Sequence, residues 1–184
     1  MPTLYKTLAP KSFFDSEESA GMTQIVVIRQ RKEDHFEMGF FLVDSLCLGI
    51  KDAFFISGDR EFYDELVERT FPDGSFVEKS GAWGRKFIES AEAYARQFGF
   101  APHSDYKKAR KVLGGINAKD CDESFAFGKD GKPFYMQGPH DSHEKAQKII
   151  ARLQSRCGEG NYNYLVKLDD HEEDDYEEDD EEEY

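Results

Sequence analysis

FLVDSLCLGIKDAFF, residues 41–55, is the most apolar part of the chain, yet it carries Asp44, Cys47 and Lys51 within eight positions. As a strand, Phe40, Leu42, Leu46, Leu48 and Ile50 form a buried face interrupted by Asp44. Ser45, Cys47, Gly49 and Lys51 then form a smaller, wetter face. As a helix capped by Asp44 or Ser45, the stretch places Val43, Cys47, Ile50 and Phe54 on one stripe. Cys47 then sits in the first turn, where the helix dipole lowers a thiol pKa. Gly49 costs such a helix about 1 kcal/mol, which favours the strand.

The neighbouring segments favour a sheet as well. TQIVVIRQ (23–30) and FEMGFFLVD (36–44) are β-branched and apolar runs around the polar RKEDH, the pattern of an antiparallel hairpin. A helix follows, with Asp59 as N-cap and Phe62, Leu66, Val67 and Phe71 at helical spacing; Pro72 and the PDGS turn stop it. A longer helix aligns Trp83, Phe87, Ala91, Tyr94 and Phe98. Ser104 caps a third, carrying Tyr106, Ala109 and Leu113. SFAFGKDGKPFYMQG (124–138) has two aromatic runs around Lys129, Asp130 and Gly131, the signature of a second hairpin. Asp141 and Glu144 start a fourth helix in capping-box fashion, with Ala146, Ile149, Ile150, Leu153 and Cys157 on its apolar stripe. NYNYLVKL supplies a last strand.

Strands and helices are grouped rather than alternating, which predicts an α+β fold: one domain over residues 22–167, an antiparallel sheet of hairpins packed by about four helices. Residues 1–21, with Pro2, Pro10 and SEESAG, read as a flexible N-terminal arm. The formal net charge is −14, but residues 169–184 hold 13 acidic side chains and no lysine or arginine. Elsewhere 25 acidic residues face 24 basic ones, so the body is nearly neutral. The acidic tail, residues 168–184, repels itself, buries nothing and is expected to be disordered.

No run of 18 apolar residues exists, so no membrane span is expected. The first residues lack the profile of a secretory signal, and three cysteines, Cys47, Cys121 and Cys157, cannot all pair. Both features predict reduced thiols in a cytoplasmic protein. No Walker loop, GxGxxG, GxSxG or paired-carboxylate signature appears, and no cofactor is expected.

Three groups of residues carry possible chemistry. Cys47 as a thiolate nucleophile requires a histidine base, His103 or His140, oriented by Asp44 or Asp141; the alternative is a cysteine acting as a small core hydrophobe. GPHDSH (138–143) sets Gly138, His140, Asp141, Ser142 and His143 at a helix start, where free amides bind anions. The His-x-x-His spacing of His140 and His143 is too common to specify a metal site, and none is expected. DYKKARK (105–111) offers Lys107, Lys108, Arg110 and Lys111 to phosphates or a partner. Nucleic acid is disfavoured by the neutral body and acidic tail, unless the tail is a displaceable competitor for that helix.

FFLVDSLCLGIKDAFF (40–55) and FGKDGKPFYMQGPHDS (127–142) resemble elements of uncharacterised bacterial proteins in which a strand pair precedes helices and a DGKP hairpin. The likeness spans about residues 22–167, implies a bacterial cytosolic setting, and carries no catalytic residue across. The reading as a whole expects a non-enzymatic binding or regulatory module for a protein or small anionic ligand. A cysteine-dependent hydrolase or acyl transferase, and a nucleic-acid-associated regulator, are the alternatives.

Overall fold

The computed structural model describes residues 3–15 and 21–167. Its centre is an antiparallel sheet of five strands: β1 (Leu4–Pro10), β2 (Met22–Lys32), β3 (His35–Asp44), β4 (Gly49–Gly58) and β5 (Phe76–Ser80). They lie in the order β4-β3-β2-β1-β5. The fold is α+β, as the grouping of elements predicts.

The run IVVI in β2 is continuous because both faces of the sheet are covered. Alternation sends Ile25 and Val27 to one face and Val26 and Ile28 to the other. On the second face, α2 (Arg60–Thr70) packs Tyr63 and Leu66 against Leu8, Val26, Ile28, Met38 and Phe40. Asp59 caps this helix, accepting from the Phe62 amide at 3.0 Å. The first face receives α3 (Gly81–Gln97) through Trp83, Phe87, Ile88 and Ala91. Each large side chain buried there stabilises the fold by about 1.5–3 kcal/mol. Ser80 caps α3 by accepting from the Trp83 amide at 3.1 Å. Gly84 lets α3 sit directly on β1, since a Cβ there would lie 2.2 Å from Thr7 Oγ1.

The N-terminal arm is a correction. Residues 4–10 are an inner strand, paired to β2 on one side and β5 on the other. Its pattern is broken by Thr7 and Pro10, which disguised it, but Leu8 and Ala9 are fully buried. A short helix, α1 (Ser12–Asp15), follows it. The predicted third helix is a single turn, α4 (Tyr106–Ala109), continued as a 3-10 turn over Arg110–Leu113. Ser104 does not cap it; the residue before the helix is Asp105, whose side chain makes no capping bond.

The second hairpin is also corrected. Asp130 and Gly131 both adopt positive φ, as a two-residue turn requires, yet only Lys129 and Lys132 bridge across it. Phe125 and Phe127 are drawn onto α3 instead, with Phe125 edge-on to Trp83 and Phe127 stacked near Tyr94 at 5.4 Å. β6 (Phe134–Met136) pairs in parallel with β7 (Asn163–Leu165) across the helix α5 (His143–Cys157). A parallel pair needs such a crossover. α5 buries Ala146, Ile149 and Leu153 against Cys47, Leu48, Ala95, Phe100 and Tyr135. The acidic segment 168–184 lies outside the described residues.

Candidate functional site

Residues 41–55 are neither one strand nor a helix. The chain reverses at residues 45–48, and β3 and β4 pair on either side with a register shift between Leu42 and Val43. Asp44 makes the reversal: its Oδ1 accepts from the amides of Leu46 at 2.8 Å and Cys47 at 3.0 Å. This is the local turn that an aspartate side chain favours. Gly49 closes it at φ +70, and a Cβ there would meet Ala95 Cβ at 2.7 Å. The turn is buried throughout, with Ser45, Leu46, Cys47 and Leu48 between 0% and 9% exposed. Two neighbours hold it from outside: Gly128 donates to the Ser45 carbonyl at 2.9 Å and Phe134 to that of Leu46 at 3.2 Å.

Two stretches marked in the sequence meet here. Lys51 on β4 reaches across so that its Nζ lies 3.6 Å from Asp141 Oδ2. Asp141 is the hub of the contact, with a side chain only 4% exposed. It accepts from Lys145 Nζ at 2.6 Å, Tyr135 OH at 3.2 Å and the Gly138 amide at 3.2 Å. It is therefore not the helix cap that its position suggests. Ser142 takes that role, one residue later, accepting from the Lys145 amide at 3.2 Å.

The two buried carboxyls respond in opposite directions. Burial alone would raise Asp141, but the Lys145 hydrogen bond, the Gly138 amide and the Lys51 charge outweigh it and hold Asp141 below the usual carboxylate range. Burial dominates at Asp44 and pushes it up, against the amides of Cys47 and Leu46 and the charge of Lys51. Ionised Asp44 thus costs the fold stability as pH rises through its raised pKa. Asp44→Asn keeps the oxygen that accepts from both amides and removes that charge. Its urea midpoint at neutral pH is expected to equal or exceed that of the parent. Asp44→Ala strands two buried amides and is expected to lose about 1–3 kcal/mol in the same titration.

The cysteine reading finds the wrong environment. Cys47 is fully buried, and desolvation together with the Asp44 charge pushes its thiol well above the ordinary value. An activated nucleophile needs the opposite. His103 is fixed elsewhere: its amide donates to Ile50 O at 2.9 Å, and its Nδ1 faces the Asp105 amide at 3.3 Å and Asp52 at 3.6 Å. His140 is exposed in the loop before α5. No contact brings either ring to Cys47 among the described residues.

The anion-binding features of GPHDSH are used internally. Asp141 fills the place that an external anion would take, between Lys51, Lys145 and the Gly138 amide. His143 Nε2 lies 2.6 Å from Gln147 Nε2. Among the described residues no group of three His, Cys, Asp or Glu is placed to hold a metal ion. Lys107, Lys108, Arg110 and Lys111 are all exposed, turned outward by the burial of Tyr106, Ala109, Val112 and Leu113. Arg110 sits over the Tyr106 ring and 3.9 Å from Glu89.

The role of Tyr135 was missed in the sequence because its neighbour Phe134 is equally aromatic; only the packing decides which turns inward. Lys51 was visible as an anomaly, but its partner lies 90 residues away. A scan against protein-family models and searches of the curated proteins and the solved structures found no match to this chain. No helix among the described residues is long and apolar enough to cross a membrane.

Proposed function

We propose that this chain is a non-enzymatic binding module, working in a bacterial cytosol, whose partner is a basic protein segment. The observation that carries the reading is the 13 acidic residues over 169–184, set without a lysine or arginine on a nearly neutral body. A charge excess confined to one end attracts a cationic partner over a Debye length of about 8 Å at physiological salt and accelerates its docking. The interior supports the same reading. The polar groups most suggestive of chemistry neutralise one another around Asp141, and Cys47 is sealed. All three cysteines are free, which suits a reducing compartment.

The reading is tested with a fluorescein-labelled octalysine peptide, followed by anisotropy against the full chain, the chain truncated after Lys167, and the isolated tail peptide. The full chain is expected to bind more tightly than the isolated tail, with affinity falling as salt rises. Truncation is expected to cost at least about tenfold, or 1.4 kcal/mol. Equal binding by the truncated and full chains would remove the tail from the function.

A further inference from the structure

We propose that the outer edge of β7 is the docking strand of this module, and that it takes an extended segment alternating basic and apolar residues. The inference rests on the basic-partner reading above and adds the surface that selects the partner. Parallel strands are ordinarily buried on both faces. β6 and β7 are a parallel pair with apolar side chains in the open: Met136 is 42% exposed, Tyr164 50% and Leu165 59%. Met136 and Leu165 are register partners, so they stand side by side on one face. Tyr164, the register partner of buried Tyr135, lies on the other face and stacks against Tyr162 at 6.2 Å.

Among the described residues no strand pairs with the outer edge of β7. β6 lies on its inner edge, where Asn163 N donates to Pro133 O at 2.9 Å and Gln137 N donates to Leu165 O at 2.9 Å. Ladder alternation then turns the amide and carbonyl of Tyr164 outward. An open donor and acceptor flanked by apolar side chains is what strand addition uses: main-chain bonds supply affinity and alternate side chains supply selection.

The occupant follows from charge. The acidic run starts at Asp169, four residues after Leu165, which is at most about 14 Å of extended chain. A second copy pairing edge to edge would bring two such tails, each with 13 acidic residues, to the same seam. Charges beside an edge strand oppose that self-pairing. A cationic segment gains from the same field, and its apolar alternate residues pack against Leu165, the outer member of the Met136–Leu165 pair.

The experiment compares two peptides of equal charge, one alternating lysine with leucine and one alternating lysine with serine. Each is titrated by anisotropy against the full chain and against the variants Met136→Ser/Leu165→Ser and Leu4→Ser. Leu4 is an equally exposed apolar residue on β1. All folded states are checked by circular dichroism. The proposal expects the leucine peptide to bind at least about tenfold more tightly than the serine peptide. That advantage disappears in the double variant, persists in Leu4→Ser, and is lost when the peptide backbone is N-methylated. An advantage that survives the double variant or N-methylation overturns the docking strand. Equal binding of the two peptides also overturns it, while leaving the basic-partner reading in place. Binding of neither peptide overturns both.

Discussion

Replacing Asp141 by alanine is expected to cost the fold about 3–5 kcal/mol, the range for removing one partner of a buried ion pair. The loss is large against a total stability of about 5–15 kcal/mol. It leaves Lys51, whose side chain is 18% exposed, without its counter-charge and strands the Tyr135 hydroxyl and the Gly138 amide. Urea unfolding at pH 7 measures it as a lower midpoint with an unchanged slope. Lys145→Ala is the contrast. Its side chain is 55% exposed, so its contact with the same carboxylate is screened and expected to be worth under about 1 kcal/mol.

The pH dependence has a definite sign. Because Asp141 is held below its ordinary pKa, its contribution is complete above the usual carboxylate range and is lost as pH falls through the depressed folded value. The gap between the parent and Asp141→Asn should therefore narrow on acidification. A gap that stays constant down to strong acid would contradict the hub.

Gly49→Ala is expected to cost about 2–5 kcal/mol. Two costs add: about 1–2 kcal/mol for a Cβ in the left-handed region at φ +70, and about 1–3 kcal/mol for overpacking against α3. The added atom would lie 2.7 Å from Ala95 Cβ and 3.1 Å from the Ala91 carbonyl, and a helix backbone has little room to retreat. Gly74→Ala separates the terms. Gly74 has φ +63 with nothing within 4 Å of a built Cβ, so only the backbone cost applies. Unfolding free energies from urea titration of the two variants should differ by at least about 1 kcal/mol. Equal losses would mean that the turn does not press on α3.

Much of the fold was legible because its signals are local. The β2–β3 hairpin follows from two apolar runs around RKEDH, and α2 from Asp59 and a clean apolar stripe. The α5 stripe is equally plain, since Ala146, Ile149 and Leu153 recur at helical spacing. What was not legible depends on distant packing. β1 carries no alternation of its own, because Leu8 and Ala9 are buried toward opposite faces of a sheet that is covered on both. Phe125 and Phe127 look like strand residues, but α3 offers Trp83, Phe87 and Tyr94 as better partners than a hairpin mate.

The candidate site divides in the same way. Asp44, Cys47, Lys51 and Asp141 stood out as polar groups in apolar or turn sequence, and all four are buried or nearly so. Their roles did not follow from position. Asp44 organises a turn rather than capping a helix or orienting a base. The meeting of Lys51 with Asp141 is a tertiary event that no spacing encodes.

Residues 45–48 form a sealed structural turn with Cys47 fully buried in it. The most direct test is alkylation of Cys47 by iodoacetamide in a Cys121→Ser, Cys157→Ser background, followed against pH and against urea. The account predicts that Cys47 labels only as fast as the protein opens, with a rate that rises with urea and no reactive thiolate at neutral pH. Rapid labelling of the folded protein, with a thiolate appearing below the free-cysteine value of about 8.5, would contradict it and return Cys47 to the list of nucleophiles.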